Sequence, residues 1–237
     1  MEINLKERML TYEEAYNTKL PIRMPVIIRL DGRKFSKLTV EKPFDRKFST
    51  AMEKTLTFIL TNIQGIVLAY TQSDEFSLLF LPYKGKNTEP LFGNRVQKLV
   101  SILAGISSAY FSKYGLSEKL IYQVATFDAR TFILPEEDVV NYFLYRYRDC
   151  IKNSINSYAT SIFSHAEVQD QNQDALLNKL QENKTPWNDL HTIFKFGVFF
   201  SKDKANEPFS FTNSEELTTW VKTKITEYLT EGEKNES

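Results

Sequence analysis

Two short segments place acidic residues directly after apolar runs. "RLDGRKF" (29 to 35) puts Asp31 at the end of "VIIRL", and "YTQSDEFSLLF" (70 to 80) puts Asp74 and Glu75 between "IVLAY" and "FSLLF". A strand favours Val, Ile, Tyr and Phe at such places, so carboxylates there invite a chemical reading. Two carboxylates at close range repel, and both stay ionised only beside a cation. Mg²⁺ suits such a pair, because it takes oxygen ligands and is usually held by one or two carboxylates plus substrate phosphates. Gly32 has no side chain, so its backbone carbonyl can serve as a further ligand. Two metals held by Asp31, Gly32 and Asp74 would activate an attacking oxygen and stabilise a leaving one in an in-line phosphoryl displacement. The same residues also suit ordinary turns, where Asp and Gly are common.

Phosphate chemistry needs cations nearby. Arg29 and Arg33 flank Asp31, and guanidinium forks bind phosphate oxygens bidentately. Arg29 equally reads as a solvent-facing strand residue. Ser73 precedes Asp74 and offers a hydroxyl to phosphate, or simply to its own turn. Arg95 with Lys98, and Arg146, Arg148 with Lys152, form local basic stripes on two predicted helices. Such stripes suit RNA backbone or 5′-phosphate contacts, although many are only solvated faces. With 30 basic and 30 acidic residues the chain has zero formal net charge, so any nucleic-acid site is a local patch rather than a global field. His165 and His191 lack metal-ligand spacing. Cys150, the single cysteine, excludes an internal disulfide framework and fits a reducing compartment. It has no nearby partner and reads as packed on a helix.

The elements that must position these residues follow from periodicity. Of 237 residues, 42% are hydrophobic and 25% charged, the usual balance of a soluble globular protein. No apolar stretch approaches the length of a membrane span. The N-terminus is charged, without the core of a signal peptide, so a cytoplasmic protein is expected. The spacing predicts a helix over 4–19 and a buried strand over 25–30. A helix over 45–62 follows, capped by Asp45, with Phe48, Met52, Leu56 and Ile59 as its apolar stripe. Strands "GIVLAY" and "EFSLLFLPY" are joined by a hairpin turn. Next come a helix over about 90–113, apolar at Val96, Leu99, Val100, Leu103 and Ile106, and a strand over 122–134 with a turn or bulge near Asp128. A long helix spans 136–163. "FKFGVFF" (194 to 200) reads as a last strand and 213–229 as a last helix with Asn213 at its start. The order strand, helix, strand, strand, helix, strand is an α+β, split βαβ (ferredoxin-like) antiparallel sheet. Its two helices cover one face and leave the other free for substrate. We expect a catalytic core over 1–135 and a looser, continuous C-terminal section over 136–237.

"RLDGRKFSKL", "EKPFD", "AYTQSDEFSLLF", "FDARTFILP" and "YRYRDCIKNSINS" resemble, in order, motifs of the tRNA-histidine guanylyltransferase family. "RLDGR" followed about 40 residues later by "SDEFS" is the specific part. The resemblance implies a palm-like domain that adds nucleotides to the 5′ end of tRNA, in the 3′-to-5′ direction. It implies that Asp31, Gly32 and Asp74 bind two Mg²⁺ ions, and that Asp31, Asp74 and Glu75 form the catalytic set. ATP or GTP would activate a 5′-monophosphate, and the 3′-hydroxyl of an incoming nucleotide would then attack. Lys42 matches a lysine placed to meet a triphosphate, and Asn153 and Lys195 match tRNA-contacting positions more loosely. Members look like homo-tetramers, and the apolar helix at 90–113 offers an interface. Members dedicated to tRNA-His carry a His-x-Asn-Asn-like motif where this chain has Ile151, Lys152, Asn153 and Ser154. That departure resembles the branch associated with template-dependent repair of 5′-truncated tRNAs. Three other readings stay open: dedicated G addition to tRNA-His, a nucleotide cyclase, and a non-catalytic RNA-binding module. A "GGDEF"-like hairpin and a sensor domain are missing for the cyclase, and the intact acids argue against the module.

Overall fold

The computed structural model describes residues 4–38, 44–85 and 88–234, the last three by backbone alone. An N-terminal helix, α1 (Leu5–Glu14), precedes β1 (Val26–Gly32), α2 (Arg46–Asn62), β2 (Ile66–Gln72), β3 (Glu75–Phe80), α3 (Val96–Ser117) and β4 (Phe127–Ile133). The expected split βαβ order is present. The C-terminal section adds α4 (Glu136–Ile162), α5 (His165–Val168), α6 (Gln173–Glu182), α7 (Thr192–Phe196), β5 (Val198–Ser201) and α8 (Ser214–Lys234). All pairings are antiparallel, in the order β4-β1-β3-β2-β5. No helix among the described residues is long and apolar enough to cross a membrane.

One face of the sheet packs on α2 and α3, as the periodicity predicts. Met52, Leu56 and Ile59 of α2 and Leu99, Leu103 and Phe111 of α3 are buried against Ile28, Leu30, Phe76 and Leu78. Asp45 caps α2, accepting from the backbone N–H of Lys47 at 2.9 Å and of Phe48 at 3.2 Å. Each such apolar side chain contributes roughly 1.5–3 kcal/mol on leaving water.

The second face differs from expectation. It is not free: Val139, Phe143 and Tyr147 of α4 and Leu217, Val221 and Ile225 of α8 close it over Ile27, Leu68, Tyr70 and Leu79. The reason lies in β2 and β3, which are buried at every position. Their apolar runs do not alternate, so both faces need cover.

Local differences have local causes. The helix expected from residue 90 begins at Val96, because Phe92, Gly93 and Asn94 are left-handed. β4 begins at Phe127 and pairs with β1 without a bulge at Asp128. "FKFGVFF" is not one strand. It divides at Gly197, whose φ is +70°, into α7 and β5. A Cβ at Gly197 would lie 2.5 Å from the Tyr70 ring and 2.7 Å from the Thr71 carbonyl. The Tyr70 hydroxyl in turn donates to the Phe196 carbonyl at 2.9 Å. Gly197→Ala is therefore expected to cost about 2–4 kcal/mol, combining left-handed strain with overpacking. Chemical denaturation of the variant beside the parent measures this.

Candidate active site

The acids converge at one end of the sheet. Asp31 on β1 stands in register with Glu75 on β3 and with Asp128 on β4. Ile27 belongs to the second face, and strand side chains alternate, so Arg29 and Asp31 share that face. Asp74 sits at the hairpin tip, where Ser73 takes a left-handed φ of 47° and makes the turn. The Gly32 N–H donates to the Asp74 carbonyl at 3.0 Å, which ties the end of β1 to the tip. The proximity expected for Asp31 and Asp74 is thus present. Gly32 has a second reason to be glycine: a Cβ there would lie 2.7 Å from the Phe35 ring.

These carboxyl groups are unequally placed. Burial raises the Asp74 carboxyl above its ordinary range, and the charge of Asp31 adds to this; its own backbone and the Ser73 hydroxyl, 3.2 Å away, oppose it. Glu75 is more deeply buried. Burial pushes its carboxyl up, while Arg146 pulls the other way. Arg146 grips it bidentately, Nε to Oε1 at 2.8 Å and Nη2 to Oε2 at 2.6 Å, and also meets Asp149 at 3.1 Å. Burial works against the Arg146 charge, but Glu75 and Asp149 outweigh it and raise the pKa of the guanidinium.

A cleft of about 530 Å³ opens beside the acids, between the hairpin, the start of α2, α4 and α7. Asp31, Ser73, Asp74 and Glu75 line one side. Phe44 and Phe194 line another, their ring centroids 5.6 Å apart, with Tyr158 at 5.8 Å from Phe44. Phe44 holds a φ of 73°, a strained geometry for a bulky residue. Cys150 reaches the cleft wall but is buried, and burial pushes its thiol up to about 12. It stays protonated and packs, as its helical position predicts.

The other expected residues scatter. Arg29 is half-buried, its Nε 3.9 Å from Glu75 and without a hydrogen bond among the described residues. Arg33 is exposed, and its backbone N–H donates to the Thr126 carbonyl at 2.8 Å. Lys42 lies outside the described residues. Arg148 and Lys152 are exposed on α4, and Asn153 lines the cleft while donating to Asp149 at 3.1 Å. Lys98 is exposed on α3. Arg95 turns inward, its Nε donating to the Phe92 carbonyl at 3.1 Å; neither lines the cleft.

Two basic residues need correction. Arg146 is not part of a surface stripe with Arg148 and Lys152. It falls on the buried stripe of α4 with Val139, Phe143 and Cys150, and it is 6% exposed. Lys195 is 8% exposed; its ammonium donates to the Asn188 carbonyl at 2.8 Å and lies over the Trp187 ring. The Arg146 charge meets Glu75 and Asp149 at the cleft, and the Lys195 ammonium meets the Asn188 carbonyl. Conversely, Asp128, Asp149 and the Phe44–Phe194 wall were not singled out from sequence. Asp149 had a signal, three residues beyond Arg146 on one helix. The aromatic wall had none, because it joins residues 150 apart in the chain.

Arg146→Ala would leave Glu75 buried without its counter-charge, at a cost of about 3–5 kcal/mol. Replacing both partners, as Arg146→Met with Glu75→Leu, should recover most of that stability. Urea denaturation of the single and double variants distinguishes a neutralising role from simple packing.

Comparison with known proteins bears on this geometry. A family profile described as tRNAHis guanylyltransferase matches residues 6–135. An uncharacterised protein of Acanthamoeba polyphaga mimivirus is 33% identical over 223 residues, covering 83% of this chain and 76% of that protein. A solved bacterial tRNA(His) guanylyltransferase-like protein in complex with ATP superposes with a TM-score of 0.86 at 34% identity, over 95% of this chain and 99% of that one. A bacterial tRNA(His) guanylyltransferase-like protein in complex with GTP superposes at 0.71 and 35% identity, over 84% and 85%. The profile covers more than half of the chain and includes both acidic segments, so the chain belongs to the tRNAHis guanylyltransferase family and is a nucleotidyltransferase.

Proposed function

We propose that this enzyme repairs 5′-truncated tRNAs by template-dependent, 3′-to-5′ nucleotide addition. The observation that carries the reading is the pairing of Asp31 with Asp74 at the mouth of the cleft, while Glu75 is already neutralised by Arg146. Family membership supplies the tRNA 5′ end as the reaction site. The related proteins bound to ATP and to GTP support nucleoside triphosphates as substrates, one to activate the 5′-monophosphate and one to be added.

Two Mg²⁺ ions fit the donor set in a particular way. Among the described residues, no three His, Cys, Asp or Glu side chains are grouped to hold a metal. Two free carboxylates, the Gly32 carbonyl and waters suit Mg²⁺, which leaves substrate phosphates to complete its shell. Bound by Asp31, Asp74 and Gly32, Mg²⁺ supplies charge for an in-line phosphoryl displacement. The chain's own groups set the geometry. Arg146 fixes Glu75 and hence the β3 side of the hairpin turn. Arg29, 3.9 Å from Glu75, and the exposed Arg33 are the candidates to meet triphosphate oxygens, and Ser73 and Lys42 belong to the same set. Arg95, Lys98, Arg148, Lys152 and Asn153 remain the candidates for tRNA, and a homo-tetramer belongs to the same reading.

Template dependence rests on "DCIKNSINS". Ile151 is half-buried and Ser154 accepts the Trp187 indole N–H at 3.0 Å, so this part of α4 supplies packing where dedicated members carry histidine. The aromatic wall of Phe44 and Phe194 suits any base, since every base has a π-face. Nucleotide choice would then fall to pairing with the opposite strand.

Asp31→Ala and Asp74→Ala are expected to lower single-turnover addition by about a thousandfold or more, several kcal/mol of lost stabilisation. Folding stability should stay level or rise for Asp74→Ala, because burial and Asp31 already disfavour that charge. Activity near the parent level removes the acids from the mechanism.

Templating is tested by single-turnover addition to a 5′-truncated tRNA in all sixteen combinations of nucleotide and opposing base. Each nucleotide should be added fastest opposite its complement. A preference for GTP whatever lies opposite would restore the dedicated G-adding enzyme.

A further inference from the structure

The rim of the cleft beside Asp31 carries cations and exposed apolar side chains that the mechanism leaves unused. Residues 33–37 continue from β1, and residues 122–126 lead into β4. The Arg33 N–H donates to the Thr126 carbonyl at 2.8 Å, so the two segments extend the β1–β4 ladder past the acids. Their undersides are fixed. Phe35 is buried, its ring centroid 4.9 Å from Phe127 and 5.1 Å from Phe111. The Ala125 N–H donates to the Ser112 hydroxyl of α3 at 2.9 Å. Their outer sides are bare. Tyr122 is 74% exposed and Val124 67%. Tyr122 stands six residues before Asp128, the register partner of Asp31, and six residues span at most about 20 Å.

The charge of this rim is one-sided. Lys34 and Lys37 are exposed, and neither has an ion partner among the described residues. Over 33–37 and 118–126 they join Arg33 and Lys119 against a single acid, Glu118. Asp128, next along β4, lies 3.5 Å from Arg130. Ser36, between the two lysines, lines the cleft, so the patch is continuous with the reaction site. Lysines are depleted from the centres of protein interfaces. Cations beside an exposed aromatic ring instead suit single-stranded nucleic acid: the cations follow its backbone and the ring stacks on a base.

A 5′-truncated tRNA leaves the strand opposite its 5′ end unpaired, and that strand must pass the rim when the 5′ end lies at Asp31 and Asp74. We propose that this rim holds the unpaired strand, with Tyr122 stacked on one of its bases and Lys34 and Lys37 on its phosphates. The inference rests on the repair reading and adds to it the place where the template runs. Every base has a π-face, so the hold is indifferent to sequence and leaves base choice to pairing. A paired duplex offers Tyr122 no such face along its length.

Fluorescence anisotropy of the full chain with labelled RNA hairpins tests this, in Mg²⁺ and without nucleoside triphosphate. One hairpin is blunt and the other carries a short 3′ overhang. The parent should bind the overhang hairpin about tenfold tighter than the blunt one, the equivalent of 1.4 kcal/mol. Tyr122→Ala should erase that gain, and Tyr122→Phe, which keeps the ring, should retain it. Lys34→Gln with Lys37→Gln should flatten the slope of log affinity against log salt for the overhang hairpin by about 1.4. Both Tyr122 variants should fold as the parent does by circular dichroism, since the side chain is exposed. Equal affinity of the parent for the two hairpins, a gain that survives Tyr122→Ala or is lost in Tyr122→Phe, or an unchanged salt slope would each overturn the proposal. A Tyr122→Ala variant altered in sedimentation but not in overhang affinity would assign the patch to a protein contact and overturn it too. Binding is read without nucleotide addition, so failure here and failure of templating are separate results.

Discussion

Four carboxylates, Asp31, Asp74, Glu75 and Asp128, share one end of the sheet, and Glu75 has a buried counter-charge of its own. Glu75 is clamped by Arg146 through two short hydrogen bonds in a buried setting. Without that clamp, Asp31, Asp74 and Glu75 would compete for the same neutralising cation, and burial would drive protons onto them. With it, Glu75 is held in the framework, whereas Asp31 and Asp74 have no ion-pair partner among the described residues. The clamp depends on how α4 crosses the sheet. Val139 and Phe143 set its depth, and the Tyr142 hydroxyl, 2.9 Å from the Ser77 hydroxyl, sets its register on β3.

The hairpin that carries Asp74 gains stiffness from the same arrangement. β2 and β3 are covered on both faces, by α2 and α3 on one side and α4 and α8 on the other. Tyr70 fixes α7 through the Phe196 carbonyl, and Gly197 lets the chain pass close enough for that bond. A tip held so firmly at its root can keep two like charges near each other when no cation is bound.

Much of this was legible in the sequence, for physical reasons. β1, the hairpin and α2 announced themselves through apolar periodicity, and Asp45 capped α2 as its type suggests. The paired acids stood out because carboxylates interrupt strands rarely. Arg146 was misread because charge was counted along the chain without helical phase. Its spacing from Val139, Phe143 and Cys150 already placed it inside. The covered second face was implicit in the unbroken apolar runs of β2 and β3. Other features had no local mark. Left-handed Phe92 and Phe44 defy residue preference, and the cleft walls come from segments brought together only by the closed fold.

The position of Arg146 has a consequence for how the site comes into being. The family profile ends at residue 135, yet the counter-charge for Glu75 arrives eleven residues later, at the middle of α4. β3 of the hairpin pairs with β1, and β1 with β4, through segments that all precede α4. Within that part of the chain Glu75 has Arg29 at 3.9 Å, but not the bidentate grip that α4 brings. Completion of the Glu75–Arg146 pair is therefore coupled to closure of the second face by α4. The stretch matched by the family profile thus leaves out a residue on which the acidic end of the sheet depends.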